Sequence, residues 1–199
     1  MQALLFRIMT ISQNDLEMIH QVASGDEDAL RTLYAAYGQR MYAFALRLTG
    51  DPSIADDVVQ DSLIAAWHAA RRYRGEGRVF AWLLGIVHHK ALNALRSTTA
   101  LDHSTPQEDE AANLPSCEPL LDDHAIQQEQ GRLLRDGLEC LPFEQRTVLE
   151  LVFYQGLSLN EAAEVCACPV GTIKSRLSYA KAALRGVLNR QGLTVEDVR

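Results

Sequence analysis

The sequence predicts an all-α protein of two small helical domains joined by a flexible acidic linker. Three observations carry this. Apolar residues recur at helical spacing through most of the chain, and no run alternates as a half-buried strand would. Residues 97–124 then break the pattern with three prolines, many acids and no Lys or Arg. With 199 residues, 47% of them hydrophobic and 23% charged, the chain has the composition of a globular protein and room for two cores.

Residues 1–13 are expected to be a disordered N-terminus. The start, MQALLFRIMTIS, lacks a basic leader and a small-residue cleavage site, and is too short to cross a bilayer. This points to a cytoplasmic protein with a frayed beginning, or with Met9 as its true start. Leu30, Leu33, Tyr34, Tyr37, Met41, Phe44, Ala45 and Leu48 then form one long helical stripe, with Asp26 as N-cap and Gly50 as stop. Asp51-Pro52 restarts a helix as a cap followed by proline at the first helical position, with Ala55, Val59, Leu63, Ala66 and Ala70 as its apolar row. The glycines of RYRGEGR end it, and a third helix runs from Val79 to Arg96 on a core row of Leu83, Val87, Ala91, Ala94 and Leu95.

Beyond the linker, Ile126, Leu133, Leu134, Leu138 and Leu141 mark another helix, and Pro142 opens one that runs to Tyr154 and stops at Gly156. Ser158 and Glu161 form a capping box for a short helix through Val165. The turn CACP leads into a last helix that buries Ile173, Leu177, Ala180, Leu184 and Leu188. Two helices joined by a tight turn, the second one basic, suggest a helix-turn-helix.

Charge is distributed unevenly. The chain nets −7, yet residues 71–100 net +5 and 169–199 net +4, with −8 over 101–131 between them. Two basic patches separated by an acidic stretch say more about partners than the total does. On the last helix Thr172, Lys174, Ser175, Arg176, Ser178, Tyr179, Lys181 and Arg185 surround the apolar row with cations and hydroxyls, groups that match phosphates and base edges in a major groove. In the first patch Arg71, Arg72, Arg74, Arg78, Lys90 and Arg96 surround an aromatic-bearing helix, on which Trp82, Gly85, His89, Asn93 and Arg96 share one face. Rings stack on unpaired bases and cations hold phosphates, so this patch suits single strands; Phe80 and Trp82 filling core is the alternative. His88 and His89 diverge by about 100° on a helix and do not share an ion.

The cysteines Cys117, Cys140, Cys166 and Cys168 read as reduced thiols in a chain without a secretory signal. Cys166 and Cys168 lack companions at metal-ligand spacing. No phosphate-binding glycine loop is present, and the sequence calls for no metal and no cofactor.

The stretches DPSIADDVVQDSLIAAWHAARRYRGEG and FAWLLGIVHHKALNALR, followed by LPFEQRTVLELVFYQGLSLNEAAEVCACPVGTIKSRLSYAKAALR, resemble a bacterial extracytoplasmic-function (ECF) RNA polymerase sigma factor in order and spacing. The resemblance covers roughly residues 14–97 and 125–188. It implies a region 2 domain over 14–97, an acidic linker over 98–124, a region 4 helix-turn-helix domain over 125–190 and a tail over 191–199. It also implies binding to core RNA polymerase and promoter DNA, control by an anti-sigma factor, no catalysis by the chain itself and no membrane insertion.

By the same resemblance, Asp56, Asp57, Gln60, Asp61, Ile64 and Trp67 dock on polymerase. Arg74, Arg78, Phe80, Trp82, His88, His89, Lys90, Asn93 and Arg96 melt and read the −10 element, and the last-helix residues read the −35 element. Asp57, Asp61, Ile64 and His68 also form a helical row apart from the core row, so a docking face is physically available. This chain departs from the family pattern at His88-His89, where Arg-Asn is common, at Asn93 in place of Asp, and at Ala167 in place of a turn glycine. A positive φ at Ala167 would cost about 1 kcal/mol.

The implied mechanism seats the last helix in the upstream major groove while the first domain traps unstacked bases downstream, which favours the open duplex by mass action. The two elements lie on the order of 70 Å apart. Twenty-eight flexible residues average about 30 Å end to end and reach roughly 90 Å when pulled straight, so the linker spans the gap under extension. Two rival readings account for part of the chain. A conventional helix-turn-helix regulator explains the C-terminal half but not the Trp-bearing first patch; a helical adaptor that binds only proteins treats both patches as solvated faces.

Overall fold

The computed structural model describes residues 14–75, 77–102 and 141–190. The expected disordered start, most of the linker, the helix expected before Leu141 and the C-terminal tail lie outside the described residues. All regular elements among the described residues are helical. They fall into two compact units: one gathers 14–102 together with Asn160–Cys168, the other 141–159 together with 169–190.

In the first unit, helix α1 covers residues 14–24 and buries Met18, Ile19 and Val22. Helix α2, Glu27–Thr49, starts where Asp26 accepts hydrogen bonds from the backbone amides of Asp28 (2.9 Å) and Ala29 (3.2 Å). It ends at Gly50, whose φ of 73° turns its amide back to the Leu46 carbonyl, a left-handed position that suits glycine. Helix α3, Pro52–Ala69, is capped by the Asp51 carboxylate and extended by a 3₁₀ turn, Ala70–Arg72. Helix α4 is Val79–Asp102, and α2, α3 and α4 pack pairwise around a core that includes Leu33, Met41, Phe44, Leu48, Leu83, Leu84 and Val87. The Arg71 guanidinium donates to the Ala23 carbonyl at 3.0 Å, tying the end of α1 to the end of α3.

The caps and most of the apolar rows match the sequence expectation, with four differences. Tyr34 is 54% exposed: its ring lies over Gly38 one turn on, where a Cβ would come within 2.6 Å of the ring. On α3 the buried face runs through Val58 and Ser62, leaving Leu63 half-buried. Ser62 is tolerated there because its hydroxyl donates to the Val58 carbonyl at 2.6 Å. On α4, Ala94 and Leu95 are half-buried. Helix α4 also continues past Arg96 into the stretch read as linker; no proline or glycine stands between Arg96 and Pro106 to stop it.

In the second unit, helix α5, Phe143–Leu149, widens into a π-helical segment, Glu150–Tyr154. The Gln155 amide reaches back five residues to the Glu150 carbonyl at 2.9 Å, as a π turn requires. Phe153 and Tyr154 face outward there, 57% and 47% exposed. Leu141 and Leu149 pack with Ala180, Leu177, Ala183 and Leu184 of the last helix.

Helix α6, Leu159–Val165, lies in the first unit except for its first residue, and α7, Val170–Arg190, follows after a turn. The turn is a Schellman motif. The Cys168 amide reaches the Ala163 carbonyl at 3.0 Å and the Ala167 amide reaches Glu164 at 3.2 Å, with Ala167 at φ 49°. Ala167 is the one non-glycine residue at positive φ among the described residues. Ala167→Gly is therefore expected to stabilise the chain by about 1 kcal/mol, read as a higher urea midpoint at unchanged slope.

Candidate nucleic-acid interface

The first basic patch is built on the loop 73–78 and the start of α4. Phe80 is 2% exposed. Its ring stacks on Tyr37 with centroids 5.2 Å apart, and the Arg40 guanidinium sits 3.7 Å from its centroid. The Tyr37 hydroxyl donates to the Asp15 carboxylate at 2.6 Å. Phe80 thus anchors the helix, and its face is already occupied. Trp82 is only partly buried and packs against Tyr73 at 4.9 Å in a tilted arrangement. The Tyr73 hydroxyl closes the loop by donating to the Gly77 carbonyl at 3.1 Å.

These two rings open onto a groove of about 810 Å³ whose walls include Arg74, Arg78, His89 and Lys90. His89 and Asn93 are exposed one turn apart, with the His89 Nε2 3.1 Å from the Asn93 amide nitrogen. Arg74 and Arg96 are exposed, and His88 is half-buried beside the same groove. Lys90 leans toward α3 and pairs with Asp61 at 3.2 Å. Across the groove, Arg78 pairs with Glu161 of α6 at 3.6 Å.

On α3, Asp56, Asp57, Gln60, Asp61 and His68 are exposed, Ile64 is 58% exposed and Trp67 half-buried. This outward row carries acids around an uncovered isoleucine, opposite the buried Ala55, Val59 and Ala66. On α7, Lys174, Ser175, Ser178, Lys181 and Arg185 are exposed, Thr172 and Arg176 half-buried, and Tyr179 is 67% exposed, while Ile173 and Ala180 are fully buried. The Lys181 ammonium sits 5.2 Å from the Phe153 ring centroid, a cation–π contact. The expected buried residue Leu188 lies outside the described side chains.

Sequence reasoning missed Tyr37, Arg40 and Tyr73. The last is flanked by arginines in RRYRGEGR and could have been found by the same aromatic-plus-cation test that found Trp82. The contact between Asp15 and Tyr37 spans 22 residues and leaves no local signal. Burial, with Asp15 as hydrogen-bond acceptor and nearby anion, raises the Tyr37 phenol well above its ordinary value. Burial first, then Asp15 and Glu164, also raises Tyr73. Burial, then the like charge of Arg78, lowers Arg40.

Comparison with known proteins matches residues 33–100 to Sigma-70 region 2 and residues 131–184 to Sigma-70, region 4. The RNA polymerase sigma-H factor of Pseudomonas aeruginosa is 31% identical over 187 residues, covering 88% of this chain and 94% of the relative. An ECF RNA polymerase sigma factor SigK of Mycobacterium sp. (strain KMS) is 29% identical over 178 residues, covering 89% of this chain and 90% of its own length. Among solved structures, CnrH in complex with the cytosolic domain of CnrY aligns at a TM-score of 0.65 with 27% identity, over 88% of this chain and 97% of CnrH. The sigma factor RpoE of Bartonella quintana, in complex with the anti-sigma factor NepR, aligns at 0.60 with 27% identity, over 80% of this chain and 96% of RpoE. The chain belongs to the ECF family of RNA polymerase sigma factors. As a sigma factor it binds core RNA polymerase and directs promoter-specific initiation of transcription.

The raised Tyr37 phenol gives the first unit an alkaline limit. Above the ordinary phenol value of 10.0 the unfolded chain loses this proton while the folded chain keeps it. Stability contributed by Tyr37 is then full below pH 10 and falls as pH rises beyond it. Tyr37→Phe should show a shallower loss of unfolding free energy between pH 9.5 and about pH 11 than the parent, measured by urea titration at each pH.

Proposed function

We propose that this sigma factor addresses and opens promoters through two separate faces. Over 14–97, the region 2 domain docks polymerase with the α3 row around Asp57, Asp61 and Ile64, and takes the −10 strand into the groove beside Tyr73 and Trp82. Over 125–190, the region 4 domain lays α7 into the −35 major groove, with Lys174, Ser175, Arg176 and Ser178 nearest the bases and Lys181 and Arg185 on phosphates. Residues 98–124 tether the two. The observation that carries this reading is the partly exposed Tyr73–Trp82 pair in a cation-walled groove, because an aromatic platform among arginines suits unstacked bases better than duplex.

In this reading Phe80 supports the platform from below and stacks no base. The polymerase supplies the catalysis and the chain supplies address and strand separation, so it is not itself an enzyme. The place of work is the cytoplasm; among the described residues no helix is long and apolar enough to cross a membrane. RpoE is solved with an anti-sigma factor, and the fold likeness supports a partner of that kind here.

Run-off transcription with purified core polymerase on a genomic fragment library tests the whole reading: discrete start sites are expected, and none from any template would overturn it. On a promoter so found, Arg176→Ala should weaken −35 recognition by about 1–3 kcal/mol and relax preference at one base. Trp82→Ala should leave upstream binding intact and slow strand opening, read by permanganate reactivity of unpaired thymines.

A further inference from the structure

The groove beside Tyr73 and Trp82 is already partly occupied by the chain itself. Helix α6 belongs to the same compact unit as α4, and Glu164, Val165 and Ala167 form the groove's far wall. Its backbone runs close over α4: a Cβ placed on Gly85 would lie 3.8 Å from the Val165 Cα. Gly85 sits between Trp82 and His89 on the helical row singled out in the sequence. So α6 covers the middle of the face to which strand reading is assigned.

The charges on α6 match what that face is built to hold. The Glu161 carboxylate pairs with Arg78 at 3.6 Å and is only 19% exposed. Glu164 turns its Oε2 toward the loop, 3.4 Å from where a Cβ on Gly77 would stand, and is near enough to Tyr73 to act on its phenol. Two carboxylates on neighbouring turns of one helix thus occupy the cationic loop, as successive phosphates of a strand would.

Resting on the strand-reading role proposed above, we propose that Glu161 and Glu164 act as an internal phosphate surrogate that closes this groove in the free chain. Single-stranded nucleic acid must displace α6 to reach Tyr73 and Trp82. The guard is electrostatic: carboxylates repel an approaching phosphate and neutralise the arginine it seeks. Release exchanges two intramolecular contacts for phosphate contacts, so any partner or ionic condition that weakens the Arg78–Glu161 pair opens the face.

The test is Glu161→Gln/Glu164→Gln in the full chain. Glutamine retains capping capacity at the third helical position, so α6 is expected to persist, as checked by far-ultraviolet circular dichroism. The probe is a fluorescein-labelled single-stranded 12-mer of mixed sequence, followed by anisotropy at low and moderate salt. The double variant should bind at least about fivefold tighter than the parent at low salt, with the gap narrowing as salt screens the charges. A charge-matched control, Glu17→Gln/Glu144→Gln, changes acids that do not line the groove and should gain much less. Equal affinity of parent and double variant, or an equal gain in the control, overturns the guard. Trp82→Ala in the double-variant background separates the two readings. If it weakens binding while Glu161→Gln/Glu164→Gln had no effect, strand reading stands and the guard is overturned; if it leaves binding unchanged, both are overturned.

Discussion

Everything the first unit offers to a nucleic acid depends on where helix α4 begins, and that beginning is fixed by Phe80. Its ring is held between the Tyr37 ring and the Arg40 guanidinium, and Tyr37 is itself held by Asp15. Three helices converge on one side chain at the second position of α4. A helix is rigid over this length, advancing about 1.5 Å and turning about 100° per residue. Fixing Phe80 therefore fixes the bearing of Trp82, His89, Asn93 and Arg96 together. A slip of one residue at the anchor would swing that whole row away from the loop that carries Tyr73.

The same unit shows why total charge was a poor guide to partners. The chain is acidic, yet its acids are placed with purpose. Asp61 holds Lys90, Glu161 holds Arg78, and Asp56 and Asp57 stand on the outward side of α3. Exposed pairs such as these contribute at most about 1 kcal/mol each. Their effect is on where long cationic side chains point and which anions can approach them, while the buried apolar faces hold the helices together.

Local chemistry made much of this legible in the sequence. Asp26, Gly50 and Asp51-Pro52 mark helix ends because each satisfies or frees specific backbone groups within four residues, and the structure uses them so. Ala167 was legible as a strained position for the same reason. What escaped was set by contacts distant in sequence or by one turn's crowding. Tyr34 leaves the core because Gly38 gives its ring a seat, and Ser62 enters it because a backbone carbonyl takes its proton. Phe80 read equally as base-stacker or core, and only the ring of Tyr37 and the guanidinium of Arg40, forty or more residues earlier, decide between them. The seat of α6 against α4 joins segments some eighty residues apart, beyond the reach of any periodicity.

The wide turn at Glu150–Tyr154 sets a length rule for its part of the chain. It houses one surplus residue without moving the ends, so the helix before it and Gly156 after it keep their aim. Excising any single residue there would tighten the turn to ordinary α geometry and rotate everything downstream by about a quarter of a circle. Phe153 would lose its place under the ammonium of Lys181, and a buried flank of the segment would exchange with an outward one. For this stretch, a deletion is a rotation.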